Sequence, residues 1–100
     1  MLFLFEKTLP EPKTEREDSV ETRIAVLGII LEDLTQVERL NALLHECSSY
    51  IIGRMGIPYR EKGVSIISVV LDAPNDVIST LSGKIGMLPG VSAKTLYSKK

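Results

Sequence analysis

The chain has 100 residues, of which 44% are hydrophobic and 25% charged, and its formal net charge is −1. This is ordinary globular composition for one domain, near the lower size limit for a self-sufficient core. Near-neutrality excludes a general electrostatic attraction to nucleic acid or to an anionic membrane.

The opening "MLFLF" is followed at once by Glu6 and Lys7. It is too short for a signal peptide or for the roughly 20 apolar residues of a membrane span. It reads either as a short extra strand docking on the body or on a neighbour, or as unstructured chain. Residues 6–21 carry six acids, three bases and two prolines with no apolar period. Such a stretch has too little apolar surface to offset the entropy of ordering. Residues 1–21 are therefore expected to form an N-terminal tail, flexible or docked on a neighbour, ahead of a folded domain at 22–100. The single cysteine, Cys47, cannot form an internal disulfide, in keeping with a reducing, cytoplasmic setting.

From Thr22 the pattern is regular. "TRIAVLGIILE" is rich in branched aliphatics and too short for a capped helix, so it reads as the first core strand. "EDLTQVERLNALLHECSS" has helical spacing, with Val37, Leu40, Leu44 and Cys47 on one face. Thr35 and Glu38 have the spacing of a capping box at its start, and Asp33 is a competing cap. "YIIGRMGIPYR" and "GVSIISVVLD" read as the second and third strands, joined at "EKG" by a hairpin turn. "APNDVISTLSGKIGML" reads as the second helix, with Asp72 as a cap, Pro74 in its first turn, and an apolar stripe of Val77, Ile78, Leu81, Ile85 and Leu88. "PG" ends it, and "VSAKTLYS" is the fourth strand.

This order, strand-helix-strand-strand-helix-strand, predicts a ferredoxin-like α+β fold: a four-stranded antiparallel sheet with both helices on one face. Alternation along the strands then raises a problem. In the first strand Ile24, Val26 and Ile30 oppose Ala25, Leu27, Ile29 and Leu31; in the third, Val64, Ile66 and Val70 oppose Ile67, Val69 and Leu71. Both sets are apolar, and the helices can cover only one. The expected consequence is a homo-oligomer joined through sheet faces or edges.

The candidate site residues cluster in "GRMGIPYREKG". On a regular strand Arg54 and Arg60 share one face, and Met55, Ile57 and Tyr59 the other; Gly53 and Gly56 point to a bulge, which would break this parity, or to a close backbone approach, and Pro58 to an edge or bulged site. Arg54, Tyr59 and Arg60 are candidates for an anion pocket at a subunit interface, binding carboxylate or phosphate. The alternative is that both arginines are solvated or paired with Glu61 or Glu32. In "DAPND", Asn75 is a further candidate ligand contact, although capping also explains Asn75 and Asp76. His45 and Cys47 lie two apart on a helix, about 200° around its axis, and cannot easily share a metal ion. Cys47 fits the core, whereas His45 joins Glu38 and Asn41 on the polar side. "GKIG" lacks the spacing of a phosphate-binding loop, and one histidine supports no nucleophile–base–acid set. No catalytic residue, metal or cofactor is expected.

The stretches "GRMGIPYRE", "DAPND" and "LSGKIGMLPGV" give residues 22–99 a resemblance to the proposed regulators of the iron-only hydrogenase system. That resemblance implies an ACT-like fold, similar to the C-terminal domain of the nickel-responsive repressor. It also implies an oligomeric, non-enzymatic regulatory role. The expected mode of action, which the resemblance does not itself supply, is a small-molecule effector or a protein partner bound between protomers. The repressor carries a ribbon-helix-helix segment ahead of its sensor domain; here an acidic tail stands in that place, so autonomous DNA binding is not expected. Its nickel site uses several histidines and a cysteine, against the single His45 here. Amino-acid-binding ACT domains carry a glycine in the turn after the first strand, and "LEDLTQ" has none. "GRMGIPYR" also resembles the phosphate loop of acylphosphatases, an alternative enzymatic reading. In those enzymes the loop opens onto a helix, whereas here it leads into another strand. A ligand-free structural interaction protein is the third alternative.

Overall fold

Branched aliphatics at consecutive positions disfavour the helix and suit a pleated sheet buried on one side. The computed structural model describes residues 4–7 and 21–99. Its elements are β1 (Leu4–Lys7), β2 (Arg23–Leu31), α1 (Val37–Glu46), β3 (Ile51–Tyr59), β4 (Val64–Ala73), α2 (Asn75–Gly86) and β5 (Val91–Tyr97). Short 3-10 turns occupy Leu34–Gln36, Ser48–Tyr50 and Arg60–Lys62. The rest of the expected tail, residues 1–3 and 8–20, lies outside the described residues.

The sheet runs β1-β3-β4-β2-β5, and every neighbouring pair is antiparallel. The four strands from β2 onward, with two helices between them, form the expected ferredoxin-like arrangement. β1 adds a short outer strand to the edge of β3, with Phe5 opposite Met55 and Glu6 opposite Arg54.

Odd-numbered residues of β2 and β4 supply the covered side of the sheet. Ala25, Leu27, Ile29 and Leu31, with Val69, Leu71 and Ala73, are essentially solvent-free. They pack with Leu40 and Leu44 of α1 and Ile78, Leu81 and Ile85 of α2 in one cluster. Each fully buried aliphatic side chain contributes about 1.5–3 kcal/mol relative to exposure. Among the described residues no buried side chain is polar or charged, so the core carries no desolvation penalty of that kind. Val37, expected on the α1 stripe, is 38% exposed. It opens the helix, a turn ahead of the residues that reach the sheet.

The helix starts differ from the sequence expectation. Asp33 wins the contest for the first cap: its carboxylate accepts from the Thr35 amide at 3.0 Å and the Thr35 hydroxyl at 2.6 Å. Thr35 falls inside the 3-10 turn that Asp33 caps, so it is not the cap residue of the helix and the Thr35–Glu38 capping box does not form. α1 instead follows Gln36 with no side-chain cap. At the second helix Asp72 stays in β4, and Pro74 is the N-cap residue, again without a side-chain cap. The carbonyl of Pro74 accepts from Val77 and Ile78. Proline suits this boundary because its fixed φ is compatible with the start of a helix and it needs no amide partner. The hairpin glycine, Gly63, has φ +64° and donates its amide to Arg60.

Candidate functional site

The geometry of β3 decides where the candidate residues face. Ile51 pairs with Leu71 but Gly53 pairs with Val70, so one extra residue is inserted at Ile52. A bulge of this kind reverses side-chain parity. Without it, Ile51 and Arg54, three apart, would lie on opposite faces. With it, Arg54 stands opposite the buried Val69, on the same side as Ile51. A bulge is present, but at Ile52, so the ladder from Gly53 to Tyr59 runs regularly and the break expected around Gly53, Gly56 and Pro58 does not occur within it. Met55, Ile57 and Tyr59 share the uncovered side, opposite Ser68, Ile66 and Val64.

Arg54 thus reaches toward α1. Its guanidinium donates to the side-chain oxygen of Asn41 at 3.1 Å. Together they flank a cleft of roughly 600 Å³ between α1 and β3, lined also by Glu38, His45 and Ser48, with Leu44 and Ile51 beneath. Glu38, Asn41 and His45 recur at three and four residues, which puts them in line along the helix. The cleft therefore offers a planar cation, an imidazole, an amide and a carboxylate over an apolar floor. Such a set suits a small polar molecule with an anionic group for Arg54.

Tyr59, Arg60 and Asn75 stand elsewhere. Tyr59 lies five residues along β3 from Arg54, about 16 Å at strand spacing. It is on the other face, and its hydroxyl donates to Glu61 at 2.8 Å. That bond pushes the phenol pKa up, because the carboxylate accepts the proton that ionisation would remove. Arg60 is exposed in the turn that follows. Asn75 is exposed at the first position of α2. The ten residues of β4 separate it from the Tyr59 end of the sheet, about 33 Å. One protomer does not bring the four candidates together.

The polar line of α1 was legible as helical spacing, but its meeting with Arg54 was not. That meeting depends on the inserted residue at Ile52, which only the two-strand ladder reveals. Cys47 faces away from this cleft, toward a smaller groove of roughly 190 Å³ with Val77, Leu81 and Lys84. Burial pushes its thiol up, Glu46 adds to that, and Lys84 opposes it. Lys84 and Glu46 approach within 3.9 Å across the two helices, both largely exposed, so their attraction is screened. Among the described residues no three metal-ligating side chains converge, and no helix is long and apolar enough to cross a membrane.

A further contact joins the turn after β2 to the turn before β5. Gly90, at φ +68°, accepts from the amides of Glu32 and Asp33 at 2.7 and 3.3 Å. A Cβ there would sit 2.6 Å from the Cβ of Asp33. The glycine at this junction comes from the far end of the chain and closes "LEDLTQ" from outside.

A sheet ordered β3-β4-β2-β5, with two helices on one side and a polar cleft at one edge, defines a small ferredoxin-like α+β protein. Residues 23–95 match the TM1266-like family, described as "Iron-only hydrogenase system regulator, putative". The chain belongs to this family. It is similar to the solved structure of uncharacterized protein TM1266 from Thermotoga maritima, at 44% sequence identity and a TM-score of 0.75. That likeness covers 79% of this chain and 100% of the other. No curated protein matches the chain.

Proposed function

We propose that the chain is a non-enzymatic, ACT-like regulatory module of the iron-only hydrogenase system. It works as a homo-oligomer, and a small molecule or a protein partner binds between protomers. The carrying observation is the uncovered side of the sheet. Ile24, Ile30, Ile66 and Leu96 are 43–72% exposed there, an apolar surface of the kind that marks an interface. Arg54 is the anchor for an anionic group. Tyr59, Arg60 and Asn75, kept apart within one protomer, become ligand contacts where a neighbouring protomer supplies them. Binding shifts the assembly only so far as the effector prefers one subunit arrangement over another.

An acylphosphatase activity gains nothing from the geometry. Arg54 sits within a strand and donates to Asn41 of α1, rather than lying in a loop that opens onto a helix N-terminus.

The test is a thermal-shift screen of carboxylate and phosphate metabolites against the full chain and its Arg54→Ala variant. A ligand at 100 times its Kd stabilises by about 2.7 kcal/mol, a rise of several degrees in Tm. The expected outcome is such a rise for one compound class, abolished in Arg54→Ala. Stabilisation that is unchanged in Arg54→Ala would remove Arg54 from the site. No shift with any compound would favour an interaction module without a small-molecule effector.

A further inference from the structure

The uncovered side of the sheet has a pattern more specific than general hydrophobicity. Strand register places Ile57, Ile66 and Ile30 in one row across β3, β4 and β2. Two positions further along, Val70, Val26 and Leu96 form a second row across β4, β2 and β5. Between the rows lie Met55, Ser68, Gly28 and Lys94. At the centre of the face Ser68 and Gly28 are small, flanked by Met55 and Lys94, between two apolar ridges. At Gly28 a Cβ would meet only the Lys94 carbonyl, at 3.9 Å, so intrachain packing does not require glycine there. Small residues in a sheet surface allow another backbone or side chain to approach closely.

The charge on this side is sparse and of both signs, with Lys7 of β1, opposite Gly53, adding one positive charge to the pair on β4 and β5. By register, Lys94 and Asp72 are its charged members from β2 to β5, one of each sign, at the margins of the apolar rows. They stand two strands and two same-face positions apart, about 17 Å at ordinary sheet spacings, too far to pair within one chain. A face with few charges, of both signs and at its margins, repels a copy of itself little, as an isologous two-fold interface requires. It offers only one excess positive charge to an oppositely charged partner. Size agrees: four strands about 4.8 Å apart and some eight residues long give roughly 500 Å² in projection. Corrugation raises the accessible area toward the roughly 800 Å² per partner of a stable interface.

We infer that this face packs against the same face of a second copy, burying the rows of Ile57, Ile66 and Ile30 and of Val70, Val26 and Leu96. The inference rests on the oligomeric reading above and deepens it by naming the surface and the partner. Edge-to-edge pairing along β5 is the competing arrangement, and it would leave these residues exposed.

Sedimentation velocity of the full chain, beside Ile66→Glu and Ile30→Glu, distinguishes them. Both side chains are nearly half exposed in the protomer, so the fold tolerates the change, and circular dichroism checks it. The expected result is a wild-type dimer or larger even-numbered assembly, and self-association weakened about 100-fold or more in each variant. A wild-type oligomer that persists in both folded variants overturns the face while leaving oligomerisation intact. A wild-type monomer at micromolar concentration overturns both, and leaves the face to a different partner. If either variant fails to fold, isotope-filtered cross-relaxation in a mixed-label wild-type sample decides. Intermolecular contacts from the Ile30 and Ile66 methyls support the face, and their absence in an oligomer overturns it.

Discussion

Gly90 shows how one residue without a side chain holds two distant turns together. Its left-handed φ already disfavours other residues, and the Cβ of Asp33 fills the space a side chain would need. Gly90→Ala therefore combines backbone strain with a clash against a neighbour close to the chain, in a place where little can move. The expected loss is about 1–3 kcal/mol of unfolding free energy, read as a lower urea midpoint at unchanged m. Gly63→Ala, with φ +64° but nothing within 4 Å of a Cβ, isolates the strain alone and should cost less. The sequence marks "PG" as the helix stop, whereas α2 already ends at Gly86, and the partner of Gly90 lies 57 residues earlier at Asp33. No local pattern reveals a contact of that separation.

At the scale of elements, the turn between β2 and α1 is organised by an ionised side chain. The Asp33 pKa lies below the ordinary 3.8 because the Thr35 hydroxyl and amide both donate to the carboxylate. A folded pKa below the unfolded one gives stability that is present above the unfolded value and lost as pH falls through the folded value. The turn is thus expected to hold at neutral pH and to weaken below about pH 4. Thr35→Val removes the hydroxyl donor but keeps the amide. An NMR titration should find the Asp33 midpoint below 3.8 in the wild type and moved up toward it in Thr35→Val. An unmoved midpoint would mean that the amide alone sets the shift.

The elements themselves were largely legible in the sequence. Alternation along residues 23–31 and 64–73 separated the buried set from the uncovered one, because burial on one side imposes a period of two. Less was legible at boundaries and in β3. Competing caps at Asp33 and Thr35 differ by small energies, and Asp72 is satisfied as a strand residue. The insertion at Ile52 is defined only by a partner strand, so the turning of Arg54 toward Asn41 follows from a ladder rather than from spacing.

For the whole molecule, a 100-residue chain divides its apolar residues between a covered core and an open sheet face. The core holds Leu27, Leu71, Leu40, Ile78 and Ile85 near zero exposure. The opposite side keeps Ile24, Ile30, Ile66 and Leu96 in contact with water in the single protomer. A regulatory module that acts through subunit arrangement needs such a surface, and a site such as the Arg54 cleft to bias it. The most direct test is the mass of the full chain by multi-angle light scattering at micromolar concentration and neutral pH. An integral multiple of the chain mass, at least two, is the expected result. A stable single chain across that range would contradict it.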